Sequence, residues 1–110
     1  MKVSELAEKL ELTIAAGAAG VNKEVSGCYI GDLMSLAMAK VEEGNVWITI
    51  QTNQNTVAVS ALKEAACVIL AEGSLPDEIA KAKAEDEEIT IFTSDKSVYE
   101  LAKGLGELGI

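Results

Sequence analysis

The chain contains neither histidine nor arginine, and its nine basic residues are all lysine. Without an imidazole there is no serine–histidine or cysteine–histidine couple, no imidazole metal ligand and no side chain that ordinarily titrates near neutral pH. Without a guanidinium there is no bidentate group for phosphate or carboxylate, and the net charge of −9 repels a nucleic-acid backbone. We therefore expect neither nucleic-acid binding nor histidine-dependent catalysis.

Long apolar runs are absent as well. No segment approaches the roughly 18 uninterrupted apolar residues that a membrane span needs. The first residues, MKVSELAEKLEL, are amphipathic and acidic rather than basic and then apolar. These features predict a cytoplasmic protein without a membrane segment. A GxxxxGK[ST] phosphate loop is also missing, which excludes ATP chemistry of the P-loop type.

Cysteine is sparse. Cys28 and Cys67 each lie in an apolar, strand-like segment, where reduced cysteine behaves as a small buried hydrophobe. There is no CxxC pair, so we interpret both as inert core thiols, with a disulfide or a redox role as the alternatives. A zinc site would need more ligands than two cysteines, and we expect no metal and no cofactor.

What the chain does have is a regular alternation of apolar segments with strand and helix patterns. Strands are predicted at Leu12–Ala16, Val25–Ile30, Val46–Ile50, Cys67–Ala71 and Ile89–Phe92. Helices are predicted at Glu5–Leu10, Leu33–Val41, Thr56–Ala66, Pro76 to the acidic run Glu85–Glu88, and Ser97–Leu108. This order predicts one α/β domain, residues 1–110, with a mostly parallel sheet of about five strands and helices on both faces.

Several details of this arrangement follow from local residue preferences. Ser4 and Asp32 are predicted helix caps, and Pro76 is predicted in the first turn of its helix. Gly44 is predicted to end the second helix. We expect the two N-terminal strands to extend one edge of the sheet, in an antiparallel arrangement where the alternation is less regular.

Polar residues follow the predicted parallel strands, where open α/β sheets bind ligands. These candidate ligand-binding residues are Asp32, Gln51, Thr52, Asn53, Asn55, Glu72, Gly73, Ser74 and Thr93. Their hydroxyl, amide and carboxylate groups suit hydrogen bonds to a small polar ligand, aided by nearby helix N-termini.

Three interpretations of these residues stay open. In the first, Asp32, Asn53, Ser74 and Asp95 only cap helices, with Asn55 as the alternative to Asn53. In the second, the residues contact a small ligand. In the third, Asp32, Glu72 and Asp95 converge on a hard cation.

For two further residues, a functional role is compared with a purely structural one. Ser60 lies within a predicted buried helix with no base nearby, so a nucleophilic role is disfavoured. Trp47 alternates with Ile48 and Ile50 in a strand, which favours packing in the core or at a dimer interface over base stacking.

Three segments carry a family resemblance: GCYIGDLMSLAM at Gly27–Met38, VWITIQTNQNTVAVSAL at Val46–Leu62, and VILAEGSLPDEIAKA at Val68–Ala82. In order and spacing they resemble the DRTGG domain family over nearly the whole chain. Of the five residues that name the family, Asp32 and Gly73 match. Leu33 stands in place of the arginine, and Glu72 and Ser74 flank Gly73 in place of threonine and glycine.

The resemblance implies an α/β fold similar to the N-terminal domain of HPr kinase, whose P-loop belongs to a separate domain. Such domains occur beside CBS domains, in phosphate acetyltransferases and as small stand-alone proteins of anaerobes, some associated with hydrogenase gene sets. It also implies a dimerising accessory role.

Together, these features favour a non-catalytic regulatory or protein-interaction domain that acts as a homodimer, the commonest soluble oligomer. The alternative is a domain that senses a small metabolite or nucleotide at the strand ends. An enzyme ranks third, because nothing in the sequence indicates a carboxylate with a raised pKa.

Overall fold

One five-stranded sheet lies between two layers of helices in the computed structural model, which describes residues 1–110. The strands are β1 Thr13–Ala16, β2 Gly27–Ile30, β3 Asn45–Thr49, β4 Cys67–Leu70 and β5 Ile91–Thr93. The helices are α1 Val3–Lys9, α2 Met34–Lys40, α3 Gln54–Leu62, α4 Glu78–Glu87 and α5 Val98–Glu107. A single 3₁₀ turn at Ala18–Gly20 follows β1.

The strands lie side by side in the order β1-β5-β4-β3-β2, and β2 to β5 are parallel. Each crossover from β2 to β5 moves one position along the sheet, and right-handed crossovers in one direction place their helices on one face. The α/β class, the mostly parallel sheet and the presence of helices on both faces are therefore confirmed.

Two apolar clusters fill the spaces between the sheet and the helices. On one face, α2, α3 and α4 pack small residues such as Ala37, Val57 and Ala80 around Trp47. On the other, α1 and α5 pack larger residues, among them Leu6 and Leu101. Successive residues of β3 and β4 pack alternately into the two clusters. Both strands are therefore buried throughout, as their apolar composition predicts.

The prediction that both N-terminal strands extend one edge is half right. β1 is antiparallel and pairs with β5 at one edge, whereas β2 pairs with β3 at the other. The reason is that β2, α2 and β3 form a right-handed parallel unit of their own, which fixes β2 beside β3.

Helix starts differ from the predictions in the first and second helices. Lys2 holds the N-cap position of α1, so Ser4 lies inside the helix. Leu33, not Asp32, holds the N-cap position of α2 in extended conformation. That helix ends at Lys40, before Gly44, because Val41 turns back to extended conformation to enter the core.

Of the predicted caps of the later helices, Asn53 is confirmed, whereas Ser74 and Asp95 are replaced by residues further along the chain. Asn53 caps α3 by accepting a hydrogen bond from the Asn55 N–H. Asp77 caps α4, which places Pro76 before the helix rather than in its first turn. Ser97, rather than Asp95, caps α5. The prediction that the acidic run ends α4 is confirmed, since Glu88 adopts a left-handed conformation at its end.

None of the five helices combines the length and apolar character that a bilayer crossing requires.

Candidate functional site

The carboxyl ends of β2, β3, β4 and β5 meet at one end of the sheet because these strands are parallel. We call the segments that follow them the strand-end rim. It consists of residues 31–33, 50–53, 71–77 and 94–97. Of the residues predicted as a site, Asp32, Gln51, Thr52, Asn53, Glu72, Gly73 and Ser74 lie in this rim.

Asp32 joins the first two segments of the rim. Its Oδ1 accepts hydrogen bonds from the Thr49 Oγ1 at 2.9 Å and from the Ile50 N–H at 3.1 Å. Its backbone carbonyl accepts one from the Gln51 Nε2 at 2.8 Å. The predicted cap is therefore wrong: the carboxylate binds the end of the neighbouring strand rather than the start of its own helix.

The second segment continues into α3. The Gln51 carbonyl accepts a hydrogen bond from the Thr56 Oγ1 at 2.9 Å, and the Thr52 carbonyl accepts one from the Asp77 N–H at 3.1 Å. Asn53 is occupied as the helix cap, while Asn55 is exposed in the first turn. The Thr52 contact ties this segment to the one that precedes α4.

The third and fourth segments hold each other through the backbone. The Glu72 N–H donates to the Lys96 carbonyl and the Gly73 N–H donates to the Ser94 carbonyl, both at 2.9 Å. Glu72 and Gly73 both have positive φ, at 61° and 75°. A Cβ on Gly73 would lie 3.3 Å from the Asp95 Oδ1, so the third segment lies directly against Asp95.

Two of the predicted site residues, Ser74 and Thr93, belong to a turn and to a strand. The Ser74 N–H donates to the Ala71 carbonyl within a turn, and Ser74 caps no helix. Thr93 belongs to β5, where it pairs with Thr13 and Leu70, and it is half-buried. Thr93 is therefore the end of a strand rather than part of the exit loop.

The rim thus forms one hydrogen-bonded chain of loops, but its acidic residues do not converge. No group of three or more cysteine, aspartate or glutamate side chains is arranged to hold a metal ion. Chemically, the rim offers amide, hydroxyl and carboxylate groups for hydrogen bonding.

The sequence did not reveal Thr49 as the centre of this arrangement. The Thr49 side chain is fully buried, and its hydroxyl both donates to Asp32 and accepts from the Gln51 N–H at 3.3 Å. A polar residue in an otherwise apolar buried strand was the available signal.

Comparisons with known proteins bear on the fold. No family model and no curated protein sequence matches the chain. A solved structure does match. It is the CBS and DRTGG domains of the regulatory region of Clostridium perfringens pyrophosphatase, complexed with the activator diadenosine tetraphosphate. The TM-score is 0.72 at 11% sequence identity, over 93% of this chain and 44% of that one. The chain thus spans less than half of that neighbour's length and shares a DRTGG-like fold with it.

Two clefts of this fold lie away from the rim. One of about 610 Å³ lies at the opposite end of the sheet, and nearly all of its lining precedes a strand. Its apolar floor includes Ala65 and Ile89, and its border carries Glu24, Glu43 and Glu64. Another, of about 570 Å³, runs along β2 and includes Lys40. Neither contains a predicted site residue.

The two cysteines lie on the same face of the sheet, on either side of Val46. Burial raises the pKa of the Cys67 thiol to about 12, with a smaller contribution from Cys28, while Lys23 acts in the opposite direction. Desolvation raises the pKa of the Cys28 thiol to about 11. Both are free, and a thiol with a raised pKa is a poor nucleophile. The inert-core prediction is right for Cys67 in position, whereas Cys28 is exposed on an edge strand.

Ser60 and Trp47 have the structural roles that the sequence favoured over nucleophilic catalysis and base stacking. The buried Ser60 Oγ donates to the Thr56 carbonyl one helical turn earlier, at 2.8 Å. Trp47 is fully buried, and its Nε1 donates to the Gly31 carbonyl at 2.9 Å. Both side chains are therefore structural.

One sequence feature has the spacing of a phosphate motif without its context. Gly104, Gly106 and Gly109 match GxGxxG. They lie in the last turns of α5 and just after it, rather than between a strand and the start of a helix. A dinucleotide fingerprint requires that strand–turn–helix position, so this match predicts no nucleotide site.

Proposed function

We propose that this chain is a regulatory domain without catalytic activity that acts as a homodimer and passes its state to a protein partner. The observation that carries the proposal is the use of its polar strand-end groups. Asp32, Asn53 and Gln51 bind the backbone or neighbouring loops rather than form a set of free acid, base and nucleophile.

The fold supports the same proposal. The pyrophosphatase neighbour is a regulatory region rather than a catalytic one, and it shares this fold over 93% of the chain. The composition agrees, because histidine and arginine, which most acid–base and phosphoryl-transfer sites use, are both absent. We place the domain in the cytoplasm, where reduced cysteines are the rule.

The homodimer is tested by its mass. Light scattering after size exclusion should give twice the 11.5 kDa of one chain at micromolar concentration. Dilution should shift the mass toward a single chain, which shows that the association is reversible. A mass of one chain at every concentration would overturn the proposal.

The absence of catalysis is tested with the purified chain and nucleoside triphosphates or pyrophosphate. We expect no release of phosphate above a buffer control. Turnover that survives repurification and is lost on substitution of Asp32 would contradict a purely regulatory role.

A second candidate function is the sensing of a small nucleotide or metabolite at the strand-end rim. The neighbour was solved with a nucleotide activator, diadenosine tetraphosphate. In this chain Gln51 and Thr52 of the rim lie next to Asn55 in the first turn of α3, where backbone N–H groups favour anions.

A thermal-shift screen tests this candidate. A ligand present at about 100 times its dissociation constant adds about 2.7 kcal/mol to the free energy of unfolding and raises the melting temperature. The variant Asn55→Ala should lose that rise. Asn22→Ala, an exposed amide outside the rim, should keep it. No rise with any adenine or guanine nucleotide would leave regulation by association as the better account.

A further inference from the structure

The two edges of the sheet differ in how they meet solvent. β2 pairs with β3 in an unbroken register and has no strand on its other side. Its sequence, GCYI, has no charge and no proline. At the opposite edge, the β1 register is interrupted between Ile14 and Ala16. Charges, prolines and bulges protect edge strands from pairing with other chains, so β2 is the unprotected edge.

Large exposed apolar side chains lie at the carboxyl end of β2 and on the side of α2. Ile30, Leu33, Leu36 and Ile50 are 44%, 60%, 45% and 46% exposed. Ile30 and Leu33 flank Gly31 and Asp32, and the Asp32 carboxylate accepts a hydrogen bond from the Ile50 N–H, so Ile30, Leu33 and Ile50 lie at the same end of the sheet. A group of large exposed apolar side chains at one edge of a domain is typical of an interaction surface.

One side of α2 faces this edge. Lys40 lines the same cleft as residues 26–29, and it lies on the helix side that also carries Leu33 and Leu36, at spacings of seven and four residues. On the other face of the sheet, α1 and α5 cover Val46 and Ile48 but leave Ile30 exposed. The strand edge and the side of α2 therefore form one surface, which we call the β2 surface.

We propose that the β2 surface binds the β2 surface of a second copy of this chain, with the two β2 strands antiparallel about a two-fold axis. The inference rests on the homodimer proposed above and adds its location. The five-stranded sheets would join into one continuous sheet, and α2 would lie beside the partner's α2.

A second copy fits this surface because a two-fold axis makes it complementary to itself. Antiparallel pairing brings Leu36, near the middle of α2, against the partner's Leu36. It also brings the end of α2 that carries Lys40 against the end that follows the partner's Asp32. Lys40 takes part in none of the ion pairs within the chain. The pairing therefore places Lys40, which shares the cleft along β2 with Glu42 and Glu43, near the partner's Asp32 at both ends of an apolar centre.

Charge substitution tests the location. Leu36→Lys places two ammonium groups at the two-fold axis, and we expect the dimer dissociation constant to rise by about tenfold or more. Ile79→Lys is the matched control, because Ile79 is 63% exposed on α4, away from β2, and should leave the constant unchanged. Circular dichroism should show that both variants are folded, since neither residue is buried.

Cross-linking provides an independent test. Cys67 is fully buried, so Cys28 on β2 is the accessible thiol. Because the raised pKa of the Cys28 thiol slows alkylation, a short bismaleimide should link two chains through Cys28 in a long incubation at alkaline pH, and Cys28→Ser should abolish the link. The Leu36→Lys variant, treated with the same bismaleimide, should not form the Cys28–Cys28 link.

The outcomes separate this inference from the proposed function. A dimer that resists Leu36→Lys and gives no Cys28 link would overturn the β2 surface while leaving the homodimer intact. A wild-type chain that is monomeric throughout would overturn both. A dimer that dissociates with Leu36→Lys and not with Ile79→Lys, together with the Cys28 link, supports the inference.

Discussion

The sequence predicts the position of Asp32 at the end of a strand correctly, but it predicts the wrong hydrogen-bond partner for its carboxylate. It follows a strand and precedes a helix, which predicts a cap. Leu33 is extended, however, so α2 starts beyond it and the Asp32 carboxylate reaches Thr49 and Ile50 instead. These partners are 17 and 18 residues away in sequence. Local residue preferences contain no information about contacts of that separation.

This contact makes Asp32 a residue that stabilises the fold. Asp32→Ala should lower the free energy of unfolding by about 1–2 kcal/mol, because the buried Thr49 hydroxyl and the Ile50 N–H lose their acceptor. Urea unfolding measures the change. Asp95→Ala is the control: Asp95 is exposed, makes no side-chain hydrogen bond, and should change stability by less than about 0.5 kcal/mol. Equal effects of the two substitutions would contradict the structural role of Asp32.

Cys67 predicts a loss of stability at alkaline pH. Its folded pKa of about 12 lies above the ordinary value of 9.0, so the folded state holds the thiol proton more tightly than the unfolded chain. The contribution is complete below pH 9.0 and is lost as the pH rises toward about 12. Urea unfolding of the wild type and of Cys67→Ala across this pH range separates the contribution of the Cys67 thiol from that of lysine titration, which both chains share. The stability difference between the two chains should narrow as the pH rises; a constant difference would be inconsistent with a buried, protonated thiol.

At the scale of elements, apolar periodicity located all five strands and all five helices, with ends that differ by a few residues. It succeeded because β3 and β4 are buried on both faces and the helices repeat apolar residues at helical spacing. It did not separate β1 from β2, since strand order depends on crossovers and pairing partners rather than on the composition of each strand.

The same distinction applies to the strand-end rim. Its position follows from parallel strands alone, and seven of the nine predicted residues lie in it. The bonds that connect its segments, such as the Thr52 carbonyl with the Asp77 N–H, depend on loop conformations. Positive φ at Glu72, a non-glycine residue, is one such conformation that composition did not predict.

The turn after β1 leaves no room for a side chain at Gly17. Gly17 has φ of 72°, and a Cβ there would lie 1.9 Å from the Ile89 carbonyl oxygen. Its carbonyl also accepts a hydrogen bond from the buried Thr90 Oγ1, and its N–H donates to the Glu85 Oε1. The turn therefore holds β1 against the segment that enters β5.

We expect Gly17→Ala to lower the free energy of unfolding by about 1–3 kcal/mol more than Gly109→Ala does. Gly109 is the matched control because its φ is also positive, at 83°, while nothing lies within 4 Å of its added Cβ. The energetic cost of placing alanine at a positive φ is thus similar in both variants. The difference in stability therefore measures the steric clash of the added Cβ with the Ile89 backbone. Equal losses in urea unfolding would mean that the backbone at Ile89 moves away freely.

For the whole molecule, charge opposes the association proposed for the β2 surface. Each chain carries a net charge of −9, so two chains repel one another at long range. Salt screens charges separated by more than about 10 Å at 0.1 M ionic strength, whereas apolar burial does not depend on that screening. The pairs of Lys40 with the partner's Asp32 are exposed and worth about 0–1 kcal/mol each.

Added sodium chloride should therefore strengthen the dimer, because it removes more repulsion than attraction. Sedimentation equilibrium at low and high salt measures the dissociation constant, which should fall as salt rises. Lys40→Gln should give a weaker dimer that responds to salt more steeply, since only repulsion between chains is left to screen. If salt instead dissociates the wild-type dimer and Lys40→Gln is insensitive to it, ion pairs rather than the apolar centre around Leu36 hold the two chains together.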